Sequence, residues 1–570
     1  MNLDGIRSLF RRLPENASRL ISAAVIGVVS GLSAVAFMLC IQFVFDNGIV
    51  RLSRMPLPVF IPASFAIVTV SCLIVGLLLW KLSPDSSGSG IPQLKTAFWK
   101  DLGFIEFRHA VVKFVAGTLS IGGGSSMGRM GPSVYIGGAV ASSAAGLLGT
   151  PRHSRRRALL MGAAAALAAA FNTPIAAIAF VMEEMLNDLK SRYLGSIVLS
   201  AVLGAFVVHA VIGRRPMYEM PPFGASSWHV YALVPVVAAV GASIAGIFQR
   251  SVLAWRGRIR NRSRIPAYLQ PLIGGLTTWA IGIAVFVISG KLGVFGLGYS
   301  DLSDVFTGRF GAWQAAGLLL LAKLAATSAC HSWGGCGGIF SPILMMGGMA
   351  GLFLSGMASL WMPVSDADRI LLCACGMSAC FGSAVKAPLT AILIVFEMTH
   401  QFTIVPALML TTLVSQAVSR RFTALNMYDD LLKQDGHDID HPVRVHGVTS
   451  WELVPVTAIA SMKPAVLDGL SPDAVRNTLA GHPYRRFPLV LNGSPAGFVT
   501  RQSLEGFISK GVQPEILPAC TCPETATVHD AAGMLLDAPE GILAIAGADG
   551  TIRGILTMHD LVRAQVCAEE

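Results

Sequence analysis

Residues 121–132 read IGGGSSMGRMGP and residues 332–342 read SWGGCGGIFSP. Both are glycine-rich breaks inside long apolar stretches, and a third, SSGSGIP, lies at 86–92. Uncharged runs around them cover Val59–Trp80, Ala158–Met182, Ile265–Gly290 and Ser332–Ser365, of 22, 25, 26 and 34 residues. Each exceeds the ~18 residues that mark a membrane-spanning helix. Irregular backbone is tolerated at membrane depth only where it is buried in protein or lines a cavity. The whole 570-residue chain agrees, with 53% hydrophobic and 13% charged residues and a mean hydropathy of +0.62. A soluble domain carries about 25% charged residues. A soluble enzyme and a singly anchored protein are both excluded, which leaves a polytopic membrane protein.

The breaks recur. Gly131-Pro132 is followed at five and six residues by Gly137-Gly138, and Ser341-Pro342 at the same spacing by Gly347-Gly348. Further on, PIAAIAFVME (174–183) is matched by PLTAILIVFE (388–397), identical at the Pro, Ala, Ile, Val and Glu positions. Two matches in the same order imply a duplicated unit of roughly 200 residues, and discontinuous helices at matched places in two repeats point to a substrate site near the midplane. That pattern predicts a transporter or channel.

Charge sets the topology. Residues 1–440 carry a net charge of +14 and residues 441–570 a net of −4. Arg7, Arg11, Arg12 and Arg19 precede the first span, Arg152 and Arg155–Arg157 form one cluster, and Arg256, Arg258, Arg260, Arg262 and Arg264 form another. Lys and Arg concentrate on the cytoplasmic side of membrane proteins, so all three segments are expected there. The N-terminus shows no cleavage-site pattern and is expected to be retained. Seven of the cysteines (Cys40, Cys72, Cys330, Cys336, Cys373, Cys375, Cys380) sit in apolar stretches and are expected as buried thiols. Cys520 and Cys522 are too close for a metal-binding CxxC pair.

The last 120 residues read differently. AGFVT (496–500) and RGILT (553–557) each follow a turn signal, Asn492-Gly493 and Asp549-Gly550, and Thr500 and Thr557 lie 57 apart. A pair of small α/β modules is expected. The boundaries drawn are a membrane domain over 1–435, with halves at about 20–215 and 225–430, a linker over 436–450, and modules over 451–511 and 512–570.

A glycine-rich break followed by a helix start suits an anion. The first turn leaves N–H groups unpaired, and the helix dipole adds about half a positive charge there. Several such ends converging hold chloride without a fixed cation, which would bind too tightly for passage. Ser89, between Gly88 and Gly90, adds a hydroxyl.

GSGIP (88–92), GRMGP (128–132) and GIFSP (338–342) together resemble the anion-coordinating motifs of the CLC chloride channels and proton-coupled chloride transporters. The tail resembles the CBS pair carried by many members. The resemblance implies an all-α, inverted-repeat membrane domain of about 17–18 helices, many not fully spanning, with an α/β CBS pair behind it. It implies that Ser89, Gly90 and Tyr428, with the backbone N–H groups of Ile339 and Phe340, hold the anion. Arg129, Met130 and Gly131 then form the outer end, and Glu184 matches an inner proton-transfer glutamate. It further implies a homodimer with one pathway per subunit and no required cofactor. The absence of a targeting extension, with the basic clusters, gives the expectation of a bacterial inner-membrane location with both termini cytoplasmic. At the CBS pair, Thr500, Thr557 and Asp560 fall where an adenosine nucleotide (ATP, ADP or AMP) is held, although Ser503 replaces the first module's aspartate.

Met130 departs from the pattern, for the family normally has a gating glutamate there. A thioether neither competes with chloride as an anion nor carries a proton. Gln93 and Lys95 also stand where exchangers commonly place acids, so Lys95 cannot be a carboxylate partner for Lys113. The expected function is passive, chloride-selective permeation, with Ser89 favouring chloride over nitrate. Two alternatives remain: proton-coupled exchange through another carboxylate, and a weakly conducting nucleotide sensor. Met130 either leaves the route open or plugs it.

Overall fold

The computed structural model describes residues 15–101, 103–150, 155–189, 193–214, 216–218, 227–437, 455–462, 464–491, 494–538, 541–547 and 551–562. The chain divides into two units, Met1–Ile439 and Asp440–Glu570. Arg7, Arg11, Arg12, Arg152, most of the expected linker and both tail turn signals lie outside the described residues.

The first half of the membrane unit comprises α1 (Glu15–Phe45), α2 (Leu57–Leu82), α3 (Ile91–Trp99), α4 (Phe107–Gly122), α5 (Met130–Leu147), α6 (Arg156–Phe171), α7 (Pro174–Phe180) and α8 (Leu194–Val211). The second half runs through α9 (Val234–Arg262), α10 (Gln270–Ser289), α11 (Tyr299–Phe306), α12 (Trp313–Ser332), α13 (Phe340–Ala358), α14 (Asp366–Val385), α15 (Pro388–Thr399), α16 (Val405–Ser419) and α17 (Met427–Gln434). Among the described residues, nine helical segments are long and apolar enough to cross a membrane. Leu, Ile, Val and Phe side chains stay exposed on α1, α2, α10 and α16, as lipid-facing helices require. Cys40, expected to be buried, is exposed on α1, because a small apolar thiol is as well solvated by lipid as by a core.

The repeat explains the glycine pairs. A Cβ added at Gly137 would lie 2.3 Å from Ala166 Cβ on α6, and one at Gly347 would lie 2.2 Å from Gly376 O on α14. The same spacing therefore lets α5 meet α6 and α13 meet α14 backbone to backbone, the small-residue contact that replaces the hydrophobic effect in lipid. Each following helix end repeats too. Asn172 and Lys386 turn left-handed (φ 57° and 58°) after α6 and α14, and Pro174 and Pro388 then start α7 and α15.

The glutamates that close the two ten-residue matches cap one another's helices. Beyond α7 the helix widens into π-type turns over Val181–Leu186. There Glu183 accepts from Leu389 N (3.0 Å), Thr390 N (2.8 Å) and Thr390 Oγ1 (2.7 Å) at the start of α15. Glu397, on α15, accepts from Ile175 N (3.0 Å) and Ala176 N (2.7 Å) at the start of α7. Each carboxylate satisfies amides that have no intrahelical partner and sits at the positive end of a dipole. The repeated Glu is thus a clasp between the halves.

The second unit contains two sheets, β1 (Leu467–Asp468), β2 (Arg486–Leu491), β3 (Ser494–Thr500) and β4 (Ile516–Leu517) in that order, then β5 (Cys520–Pro523), β6 (Ile542–Ala546) and β7 (Ile552–Thr557). In each sheet a parallel pair (β1·β2, β5·β6) is followed by an antiparallel pair (β2·β3, β6·β7). Helices Pro472–Gly481, Arg501–Lys510 and Val528–Asp537 complete the α/β modules.

Removing either clasp leaves two helix-start amides without a partner in lipid-facing or buried surroundings, a cost of about 1–3 kcal/mol. Glu183→Ala and Glu397→Ala are each expected to lower the thermal midpoint of the detergent-purified protein by several degrees, while the glutamine variants lose less. Unchanged midpoints would show that the clasp does not hold the halves together.

Candidate anion pathway

The breaks read from the sequence converge on one place. Gly128 and Gly338, equivalent positions in the two repeats, exchange both backbone hydrogen bonds (2.6 Å each), and Gly88 N donates to Gly335 O (3.0 Å). From this knot three helices set out: α3 after Gly90, α5 after Arg129 and α13 after Ile339, none with a side-chain cap. The first-turn amides, those of Ile339 and Phe340 among them, have no intrahelical partners. Gly90 holds φ +92° to begin α3. Gly131 is packed so closely that an added Cβ would lie 2.3 Å from Ser89 Oγ.

Ser89 Oγ and Tyr428 Oη are both buried and neither makes a hydrogen bond, although the two hydroxyls are close enough to interact. Two buried hydroxyls beside uncapped helix starts suit an anion. The Phe340 ring, at the start of α13, packs on Phe171, Phe180 and Phe381 with centroids 5.6, 6.4 and 4.1 Å away. Those rings form a collar that excludes water.

Two lysines hold the loops in place. Lys113 Nζ, on α4, donates to the carbonyls of Ser86 (2.9 Å), Ser87 (3.2 Å) and Gly88 (2.7 Å). Lys323 Nζ, 210 residues later on α12, donates to those of Gly293 (2.9 Å), Val294 (3.3 Å) and Gly296 (2.7 Å). Both lysines are fully buried. The second loop, Gly296-Leu297-Gly298, is the repeat's counterpart of Gly88-Ser89-Gly90, with both its glycines also at positive φ. Sequence reasoning missed this match. Spacing the glycines and lysines against the repeat would have found it.

The outer residues lie at the start of α5. Arg129 is buried, donates to Ala170 O (2.9 Å) and stacks between the Phe171 and Tyr299 rings, 5.6 and 5.4 Å from their centroids. Met130 is fully buried in the apolar cluster that also contains Ile91, Val134, Phe171 and Phe340.

Glu184 is not free. Lys95 Nζ donates to its Oε1 (2.8 Å) and to Asp429 Oδ1 (2.5 Å), and Asn426 Nδ2 reaches both Glu184 oxygens (3.3 and 3.0 Å). Asn426 also caps α17 by accepting from Asp429 N (2.8 Å). Asp429 was not foreseen as part of the site. It follows Tyr428, so the cluster joins the helix behind Ser89 to the segment that carries Tyr428.

A cavity of 640 Å³ opens on this side, lined by both signs of charge, among them Lys100, Asp101, Glu106 and Arg260. A pocket of 30 Å³ shares Ser87, Pro92, Gln93, Arg256 and Asp435 with it and reaches Ser89. Solvent therefore approaches Ser89 from the Arg256 side, while Met130 is enclosed.

In the second unit a 750 Å³ cavity is lined by Thr500, Thr557 and Asp560 with Arg485, Arg486 and Arg501. Thr557 and Asp560 form a capping pair (Oγ1 to Oδ2 2.6 Å), whereas Thr500 Oγ1 accepts from Ser503 N (3.2 Å). Ser503 is turned to another use, its hydroxyl accepting from Glu515 N (2.9 Å).

Comparison with known proteins fits this geometry. The voltage gated chloride channel profile matches residues 71–420 and the CBS domain profile residues 514–566. An H(+)/Cl(-) exchange transporter, ClcA of Vibrio parahaemolyticus, is 28% identical over 435 residues, 75% of this chain and 92% of that protein. A slow cyanobacterial Cl-/H+ antiporter shares the fold with a TM-score of 0.63 at 24% identity, covering 73% of this chain and 97% of the other. A eukaryotic CLC transporter does so with 0.62 at 18% identity, covering 95% and 97%. The chain is a multi-span membrane protein with a CBS region at its C-terminal end, and it belongs to the voltage gated chloride channel family of anion transporters.

Proposed function

We propose that this protein lets chloride pass down its gradient without moving protons. The observation that carries the reading is Met130, an untitratable side chain at the start of α5 in an otherwise intact GRMGP motif. The ClcA relative named above exchanges chloride for protons, and moving protons calls for titratable groups along the route. Here the outer position holds a thioether, and the inner acid, Glu184, is engaged by Lys95 and Asn426. Ser89, Gly90, Tyr428 and the amides of Ile339 and Phe340 would hold the anion, and Arg129, Met130 and Gly131 would form its outer limit. The enclosed thioether favours slow passage over a wide pore. The arginine-rich segments favour cytoplasmic termini in a bacterial inner membrane, and the reading includes a homodimer with one route per subunit.

A second role rests on the cavity beside Thr557 and Asp560. Three arginines and a Thr–Asp pair suit the phosphates and ribose of an adenosine nucleotide. Full-length protein is expected to bind ATP or AMP in a calorimetric titration, with Asp560→Asn weakening it about tenfold, as a lost hydrogen bond to a buried polar group does. No heat from any adenosine nucleotide would leave the tail a structural module.

The transport reading is tested in chloride-loaded liposomes with a potassium ionophore setting the voltage. Chloride efflux is expected without uphill proton movement. Protons driven uphill by chloride would overturn the reading in favour of coupled exchange, and Glu184→Gln would then abolish the proton flux. Met130→Glu is expected to slow efflux at neutral pH, where a carboxylate is ionised and competes with chloride. Efflux should recover on acidification, at a pH above the ordinary carboxylate range of ~4, because the apolar surroundings of position 130 favour the neutral acid.

The Lys95 cluster has its own test. Lys95→Gln leaves the buried Glu184 without its cation, which costs about 3–5 kcal/mol. A marked fall in thermal midpoint is expected, largely repaired by the further change Glu184→Gln. A variant as stable as the parent would mean that Lys95 does not hold Glu184.

A further inference from the structure

The last turn of α12 carries a histidine for which the site described above has no use. His331 is buried, and neither ring nitrogen has a hydrogen-bond partner. A neutral imidazole always carries one donor and one acceptor. Leaving both unpaired away from water is costly. The ring lines the 30 Å³ pocket that leads from the large cavity to Ser89, together with Gly88, Gln93, Arg256 and Asp435.

The fold itself does not ask for a histidine here. With the repeat offset of 210 set by Gly128 and Gly338, the equivalent residue in the first half is Ile121, fully buried at the end of α4. An apolar side chain meets the packing needs of this helix end. The polar ring is particular to the half whose break lines the mouth of the route.

Its charged surroundings are cationic on two sides. Arg256 on α9 and Lys113 on α4 are the charged groups that act on the ring. The acidic neighbour in the pocket, Asp435 beyond α17, is bound by Arg256 (2.7 Å) and Arg260 (3.0 Å). The other titratable groups near this break, Cys330 and Cys336, are engaged with Thr278 and with Ser86 O. A donor ring flanked by Arg256 and Lys113, with no carboxylate bonded to it, suits a small monovalent anion.

We propose that His331 is an anion ligand at the mouth of the route, its neutral ring donating one N–H to a halide. Among the described residues the ring nitrogens have no other partner, and Arg256 and Lys113 supply a positive field around the seated ion. The contact needs no proton and is compatible with passive flux. The assignment rests on reading Ser89 as part of an anion pathway.

The test is calorimetric titration of sodium chloride into the full-length protein near pH 7. His331→Gln keeps a side-chain N–H donor, so binding should persist close to the wild-type affinity. His331→Ile, the residue of the other repeat, should bind chloride about tenfold more weakly, the worth of one hydrogen bond to a charged group. Undiminished chloride affinity in His331→Ile, or an equal loss in His331→Gln and His331→Ile, would overturn the assignment. Wild-type protein that neither binds chloride nor passes it in liposomes would instead overturn the anion pathway itself.

Discussion

An anion route through a membrane needs non-helical backbone at a depth where no water can satisfy it, and each unpaired polar group there costs several kcal/mol. This chain meets that demand with two buried lysines. An ammonium group offers three donors and no acceptor, and Lys113 and Lys323 each use theirs on three loop carbonyls. The carbonyl dipoles in turn compensate a charge that could not otherwise be buried. Carbonyl oxygens would repel chloride, and the lysines occupy them. What remains unclaimed around Ser89 are donors: two hydroxyls and the starts of α3, α5 and α13. The sign of the route's preference follows from which half of the peptide group the scaffold consumes.

The two repeats share this frame and diverge wherever function needs a direction. Ser89 faces Tyr428, whereas its counterpart in the second loop is Leu297. Met130 begins α5 where Phe340 begins α13, and His331 stands where the first half has Ile121. The shared features are structural: the Gly137 and Gly347 contacts, the Gly128–Gly338 bridge and the reciprocal Glu183 and Glu397 caps. Duplication supplies a nearly symmetric scaffold, and on the proposed reading single-residue departures from that symmetry give the anion its place at one end of it.

This division also accounts for what the sequence made legible. Apolar run lengths give the membrane, and the repeated Gly-Gly and Pro…Glu spacings give the duplication, because both are local patterns. The three Gly-rich breaks mark the site, since glycine and helix-starting proline are dictated by backbone geometry. Pairings across the repeats are different. Lys95 lies 89 residues from Glu184 and 334 from Asp429, and nothing at either end of such a pair announces the other. The clamp role of Lys113 was equally hidden, because its partners are backbone carbonyls that no side-chain pattern records. His331 reads in sequence as one polar residue near a break. Only its unpartnered nitrogens beside Ser89 set it apart. In the tail, Ser503 hinted that the first module had lost an aspartate, and the structure shows its hydroxyl bound to Glu515 N instead.

Met130 and Lys95 gain meaning when considered as one change. On the passive reading, a chain without an outer acid has no use for an ionisable inner one. Glu184 left alone would be an uncompensated buried charge of the same sign as the permeating ion. Deleting it would empty a buried, hydrogen-bonded position beneath Tyr428. Placing a cation on the facing helix resolves both difficulties. Lys95 neutralises Glu184 against repulsion and, by reaching Asp429 as well, ties α3 to α17. The helix that follows Ser89 and the helix that carries Tyr428 are then joined by one buried ion cluster. On the proposed reading, the separation of the two hydroxyls, and with it the size of the anion held between them, follows from the geometry of this ion cluster.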